Sequence, residues 1–156
     1  MQDQRKYLMS KPVLSTSRSL PIALLRARES VLGPFRTLMA DVDITEQQWR
    51  VLRVLDENGP MEPTRIAEEA CLLLPSLTRI LQKLEQKKMI QRKTDKMDRR
   101  RQIVRIAPAG TKLIAANLER SADLLEEMRQ KMGSERWDKL LDLLHELHEA
   151  QRRDWV

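Results

Sequence analysis

A chain of 156 residues with 29 Lys and Arg against 23 Asp and Glu has the length of one domain and a formal charge of +6. Its 41% hydrophobic and 33% charged residues suffice for a core and are too apolar for a disordered chain. Four glycines and 3% aromatics exclude Gly-rich β-sandwiches and base-stacking RNA modules, and no apolar run approaches the roughly 18 residues that cross a bilayer.

Residues 1–18 mix Gln, Lys, Ser and Thr without sustained periodicity and read as a flexible arm. No apolar stretch there leads into a small-residue cleavage site, so the cytoplasm is the expected location. A helix is expected from Ser19, with Pro21 in its first turn and Leu24, Arg28, Val31, Phe35 and Leu38 recurring at steps of three and four. Pro34 removes the bond its N–H would make to the Ser30 carbonyl, which predicts a kink. Thr45-Glu46-Gln47-Gln48 has the form of a capping box ahead of Trp49, Leu52 and Leu55 on one face, and Gly59-Pro60 ends that helix.

A short helix is expected over Pro63–Glu69, then a turn at Ala70-Cys71-Leu72-Leu73, then a helix with Pro75 in its first turn. Leu77, Ile80, Leu81 and Leu84 form its apolar stripe, leaving Ser76, Arg79, Lys83 and Gln86 outside with Thr78 and Gln82 beside them. Two short helices around a tight turn, the second polar and basic outside, outline a helix-turn-helix. After Lys88 the period shortens to two: Ile90, Arg92 and Thr94 alternate with Gln91, Lys93 and Asp95. With Ile103, Val104 and Ile106 beyond Lys96–Arg101, this predicts a β-hairpin wing. From Lys83 to Arg105 there are ten basic and three acidic residues, more than the whole net charge of the chain. A solvated basic face would not confine its charge in this way, so a polyanion is the expected partner.

A long helix is predicted over Pro108–Met132 and a last one beyond Gly133-Ser134 with Trp137, Leu140, Leu141, Leu144 and Leu147. Their apolar stripes are wider than one small core needs, and a dimerisation bundle with the first helix is their natural use. The expected class is therefore mainly α. It comprises an arm (1–18) and a single domain (19–156), with a winged-helix lobe (44–107) and dimerisation helices (19–40 and 108–156).

Order and spacing resemble the winged helix-turn-helix regulators of the MarR (multiple antibiotic resistance regulator) family. The resemblance lies in the helix-turn-helix, Leu84-Glu85 with Ile90 and Arg92 ahead of the wing, Asp98-Arg99-Arg100 at its tip, and Ala109-Gly110 opening a long helix. Leu24–Glu29, Thr45–Arg50 and Pro75–Thr78 are similar to the branch that represses the homoprotocatechuate (hydroxyphenylacetate) degradation operon. Leu74 departs from the family, standing where many relatives have a polar helix cap.

The resemblance implies a homodimer that grips a palindromic operator in double-stranded DNA. Ser76, Thr78, Arg79, Gln82 and Lys83 would contact the major groove, and Arg99, Arg100 and Arg101 of the wing would bind DNA as well. Arg100 would enter the minor groove, with Asp98 as the carboxylate that orients it and Arg99 bracing the wing to the body. Half-sites would lie about 10 base pairs apart. Members of this branch respond to small aromatic acids, which implies a hydroxylated phenyl or pyridine carboxylate as effector and repression of an aromatic-acid catabolic operon.

Arg28 is the candidate for the effector carboxylate, because a charge within an apolar stripe is costly unless paired. The competing reading is a structural ion pair with a partner helix or near Glu29. Trp49 is a candidate aromatic wall and otherwise core; Arg26 is a candidate ligand contact and otherwise a solvated or interface arginine. Cys71, the only cysteine, cannot form an internal disulfide, suits a reducing compartment and reads as buried and inert. His145 and His148 read as surface or interface residues, since no third ligand completes a metal set.

No cofactor is expected. An enzyme is disfavoured, because there is no Gly-rich phosphate loop, nucleophile–histidine–acid set or paired metal ligands. A constitutive or architectural winged helix without an effector is the remaining alternative.

Overall fold

A computed structural model describes residues 15–153. The expected arm lies outside them up to residue 14; within its last residues Thr16–Arg18 form one 3-10 turn. Six α-helices and a two-stranded hairpin are described: α1 (Leu20–Ala40), α2 (Glu46–Asn58), α3 (Pro63–Glu69), α4 (Leu74–Gln86), β1 (Ile90–Thr94), β2 (Gln102–Ile106), α5 (Pro108–Met132) and α6 (Ser134–Arg153). The fold is a winged helix-turn-helix. The chain divides into two compact units, the first ending at Thr111 and the second beginning at Lys112 within α5.

In the first unit, α1 starts at Leu20 after Ser19 and runs unbroken through Pro34. The capping box of α2 is complete: Thr45 Oγ1 accepts from the Gln48 N–H at 3.1 Å, and Gln48 Oε1 accepts from the Thr45 N–H at 3.0 Å. Gly59 ends α2 with φ 77°, a left-handed conformation that a side chain would strain. Trp49, Val51, Leu52 and Leu55 of α2 are buried, as are Ile66 and Ala67 of α3.

The stripe read on α4 is its buried face: Leu77, Ile80, Leu81 and Leu84 are at most 7% exposed. Burial stabilises each by about 1.5 to 3 kcal/mol. That sum sets the rotation of α4, since rolling it by one residue would return part of the stripe to water.

The hairpin is antiparallel, pairing Ile90 with Ile106 at its base and Thr94 with Gln102 near its tip. Met61 adds a one-residue bridge to β2, exchanging both backbone hydrogen bonds with Val104 at 2.9 and 3.0 Å. At the base of the wing, a Cβ on Gly110 would stand 2.4 Å from the Met89 carbonyl oxygen and 2.8 Å from Ile106 Cγ1. Only glycine lets the first turn of α5 pack there. The far end of α4 is tied to the α1–α2 turn, where Lys87 Nζ donates to the Asp43 carbonyl and, at 2.9 Å, to its carboxylate.

In the second unit, α5 and α6 meet at Gly133 (φ 89°), and Arg129 lies 3.4 Å from Asp138 across that turn. Leu118, Leu125, Met132, Leu140, Leu141, Leu143 and Leu144 are exposed, as are Leu20, Leu24 and Leu25 on α1 of the first unit.

Candidate nucleic-acid interface and effector pocket

With its apolar stripe inward, α4 presents Ser76, Thr78, Arg79, Gln82 and Lys83 to solvent. The side chains of Ser76, Arg79, Gln82 and Lys83 have no hydrogen-bond or ion-pair partner among the described residues, so their donors are available to an external ligand. Thr78 differs: its hydroxyl donates to the Leu74 carbonyl at 3.0 Å. It therefore offers a methyl group and lone pairs outward, which favours the thymine-methyl and acceptor roles over donation to a phosphate. Leu73 is the N-cap residue, and no side chain caps the helix.

The wing loop is shaped by two aspartates. Asp95 Oδ1 accepts from the N–H groups of Met97 at 2.7 Å and Asp98 at 3.4 Å, bonds that hold its carboxyl below the usual range. Asp98 Oδ1 accepts from the Arg100 N–H at 2.9 Å. Asp98 thus acts on Arg100 through the backbone, whereas the sequence had suggested a grip on the guanidinium. Arg99 and Arg100 are exposed and unpaired among the described residues.

Bracing of the wing, expected of Arg99, falls to two other arginines. Arg101 Nε donates to Glu62 Oε1 at 2.6 Å, and a second Arg101 nitrogen donates to the same oxygen; this hydrogen bond and charge raise the guanidinium pKa. Arg92 Nε donates to Glu85 Oε2 at 2.8 Å, and the Arg92 hydrogen bond holds the Glu85 carboxyl low. The cause is geometric: Arg101 sits where the loop returns towards α3, while Arg99 is exposed in the loop itself. All three acids between residues 83 and 105 are therefore engaged in structure, and the unpaired cations dominate the surface potential there.

A cavity of about 390 Å³ opens beside the end of α1, lined by Arg28, Arg36, Ala40, Ile44 and the first turn of α2 from Thr45 to Gln47. That volume suits a single-ring ligand. Arg28 is exposed, as are Leu24 and Leu25. The stripe that made its charge appear costly is not buried within the protomer, and geometry rather than desolvation places Arg28 here.

Arg36 was missed from the sequence. Arg36 Nη2 is 2.5 Å from Glu29 Oε2, and this pairing chiefly lowers the Glu29 carboxyl, with a smaller contribution from Arg28. Its position on α1, just over two helical turns beyond Arg28, was the available signal. The helix N-terminus adds a dipole favourable to an anion; Glu46 opposes it, though Arg50 Nε lies 3.2 Å from its carboxylate. Trp49 is in the core at 7% exposure, and neither it nor Arg26 is on this wall.

Cys71 is exposed, not buried as expected. The reason is the ending of α3: the Leu72 N–H returns to the Ala67 carbonyl at 2.8 Å, and Cys71 takes the outward left-handed position (φ 50°) while Ala70 is buried. His145 and His148 are exposed on α6. Among the described residues no cluster of three or more His, Cys, Asp or Glu is placed to hold a metal.

Residues 44–101 match the MarR family. The HTH-type transcriptional regulator FarR of Neisseria gonorrhoeae is 37% identical over 87% of this chain and 93% of its own. The homoprotocatechuate degradative operon repressor of Escherichia coli is 33% identical over 82% of this chain and 86% of its own. The crystal structure of NadR in complex with 4-hydroxyphenylacetate superimposes with a TM-score of 0.77 at 33% identity, covering 86% of this chain and 98% of NadR.

Proposed function

Because the chain belongs to the MarR family, whose members are transcriptional regulators rather than enzymes, we propose that it is a repressor released from its operator by a small aromatic or heteroaromatic carboxylate. It binds a palindromic operator as a homodimer and controls an aromatic-acid catabolic operon. The observation that carries this reading is the pairing of an outward α4 face, whose Ser76, Arg79, Gln82 and Lys83 have no partner among the described residues, with a braced wing whose Arg99 and Arg100 have none there either.

In the major groove Arg79 can pair bidentately with guanine, worth about 1 to 3 kcal/mol of discrimination. Arg100 enters the minor groove, where A/T-rich sequence narrows the walls and deepens the negative potential. Asp95 and Asp98 have already ordered the loop, so less entropy is lost on docking. A second copy covers the leucines exposed on α6 and doubles every contact. Action on DNA places the protein in the cytoplasm; no helix among the described residues is long and apolar enough to cross a membrane. No cofactor is needed.

For the effector, the crystal structure of the relative NadR with 4-hydroxyphenylacetate supports an aromatic carboxylate as the chemical class, and Arg28 and Arg36 would be the partners of that carboxylate. Effector and DNA weaken each other by the same factor, as linkage requires. The test is footprinting for a palindromic site, followed by release with 4-hydroxyphenylacetate and hydroxypyridine carboxylates. Selective protection and release support the reading. Equal affinity for unrelated duplexes counts against the regulator, and selective binding that no aromatic acid relieves counts against the sensor.

A further inference from the structure

The first turn of α4 is apolar where a nucleic-acid-reading helix would be expected to be polar. Leu73 is 77% exposed and Leu74 44%, and Pro75 beside them is exposed as well. The core does not account for them, since α4 is anchored by Leu77, Ile80, Leu81 and Leu84. Local structure does not either: a leucine at the N-cap gives up the hydrogen bond that Ser, Thr, Asp or Asn would accept there.

The polar groups of this turn are also largely committed. The Leu73 carbonyl accepts from the Leu77 N–H at 3.0 Å, the Leu74 carbonyl accepts the Thr78 hydroxyl at 3.0 Å, and proline has no N–H. Beside the Ser76 hydroxyl and the N–H groups of Leu74 and Ser76, what the turn offers outward is hydrocarbon: two leucine side chains, a proline ring and the Thr78 methyl.

We propose that Leu73 and Leu74 are specificity residues that read thymine 5-methyl groups in the major groove. The inference rests on the DNA-binding reading above and deepens it. The N-terminal residues of a recognition helix are those that reach base edges, and the thymine methyl is the one apolar group those edges display in the major groove. The leucines stand at the N-terminal end of the helix whose Ser76, Arg79, Gln82 and Lys83 are likewise exposed, so a duplex entered by that end of α4 is the occupant that meets both. Arg79 and Lys83 supply charge and hydrogen bonds further along, while the leucines reward thymine and leave cytosine, which lacks the methyl, without a contact.

The experiment replaces each thymidine of the footprinted half-site with deoxyuridine, which removes the methyl and leaves the hydrogen-bonding edge intact. Wild-type protein is expected to bind about fourfold more weakly for each methyl lost under the start of α4, the factor for one buried methyl-sized group. Leu73→Ala and Leu74→Ala should bind the thymidine operator more weakly and lose the discrimination between the two duplexes. Leu73→Met should keep part of it. These positions are exposed, so folding is preserved, and circular dichroism checks that it is.

Wild-type protein indifferent to deoxyuridine, or alanine variants that retain the discrimination, would overturn the proposal. Alanine variants with unchanged DNA binding but altered dimer dissociation would overturn it as well, assigning the leucines to a protein interface. Selective operator binding without methyl dependence sinks this inference alone; absence of any selective binding sinks the regulator reading and this inference with it.

Discussion

Glu62, the N-cap residue of α3, accepts two hydrogen bonds from Arg101, 39 residues later in the wing loop. One carboxylate thus links the first helix of the helix-turn-helix to the hairpin. Arg92 and Glu85 make the matching link between the hairpin and α4. Helix α4 and the hairpin are tied into one frame with α3 by these two ion pairs.

Breaking the first of them should affect binding more than folding. Arg101 and Glu62 keep 57% and 34% of their side-chain surface in water, where ion pairs contribute little to global stability. Glu62→Ala is expected to melt close to wild type while losing operator affinity and speeding hydrogen exchange of the wing amides. Unchanged affinity in fluorescence anisotropy would show that the brace is not needed for docking.

Arg99 and Arg100 should separate by salt and by sequence. If an arginine neutralises one phosphate, its removal lowers the slope of log affinity against log salt by about one. Arg100→Ala should in addition lose preference for A/T-rich flanks, with little change in melting temperature. A collapsed fold in this variant would make Arg100 structural instead.

Beside the proposed effector pocket, Glu29 pairs with Arg36 and would compete with a ligand carboxylate for it. Arg28→Ala and Arg36→Ala should keep operator binding and require more aromatic acid for release. Glu29→Gln should release at lower effector concentration, because Arg36 is then free to meet the ligand carboxylate. Titration of operator release with 4-hydroxyphenylacetate reads all three, and unchanged potency in both arginine variants would move the site elsewhere.

Gly110→Ala should destabilise the wing base. A Cβ placed 2.4 Å from a backbone oxygen cannot be relieved by a rotamer change. Overpacking of this kind costs about 1 to 3 kcal/mol, which thermal or urea unfolding would register as a lowered midpoint.

Acid should loosen the wing tip. The two backbone N–H groups that Asp95 accepts lower its pKa below the ordinary value of 3.8, so the folded loop favours the carboxylate. Its contribution is complete above that ordinary value and is lost as pH falls through the lower folded one. The Met97 amide resonance should titrate in that window in wild type and not in Asp95→Asn, whose side-chain oxygen can still accept both bonds.

Much of this architecture was legible because it depends on short-range rules. The Thr45–Gln48 box, the α4 stripe, the Pro63–Glu69 helix and the change of period after Lys88 all involve partners within a few residues. The exposure of Ser76, Arg79 and Lys83 followed from the same stripe. Arg36 and Cys71 were harder: one depends on which α1 side chains border the start of α2, the other on the left-handed turn that ends α3.

By itself, the order of residues determined the helices, the hairpin, the basic run from Lys83 to Arg105 and the family they resemble, since helical and strand periods act between near neighbours. Only the tertiary structure decided that Arg101 rather than Arg99 braces the wing, that Met61 joins Val104, that Lys87 reaches Asp43 across 44 residues, and that Arg28 and Arg36 share one cavity. Apart from the two arginines of α1, those contacts join segments far apart in the chain, and an ionic side chain of given type has many oppositely charged candidates until backbone packing brings one of them within reach.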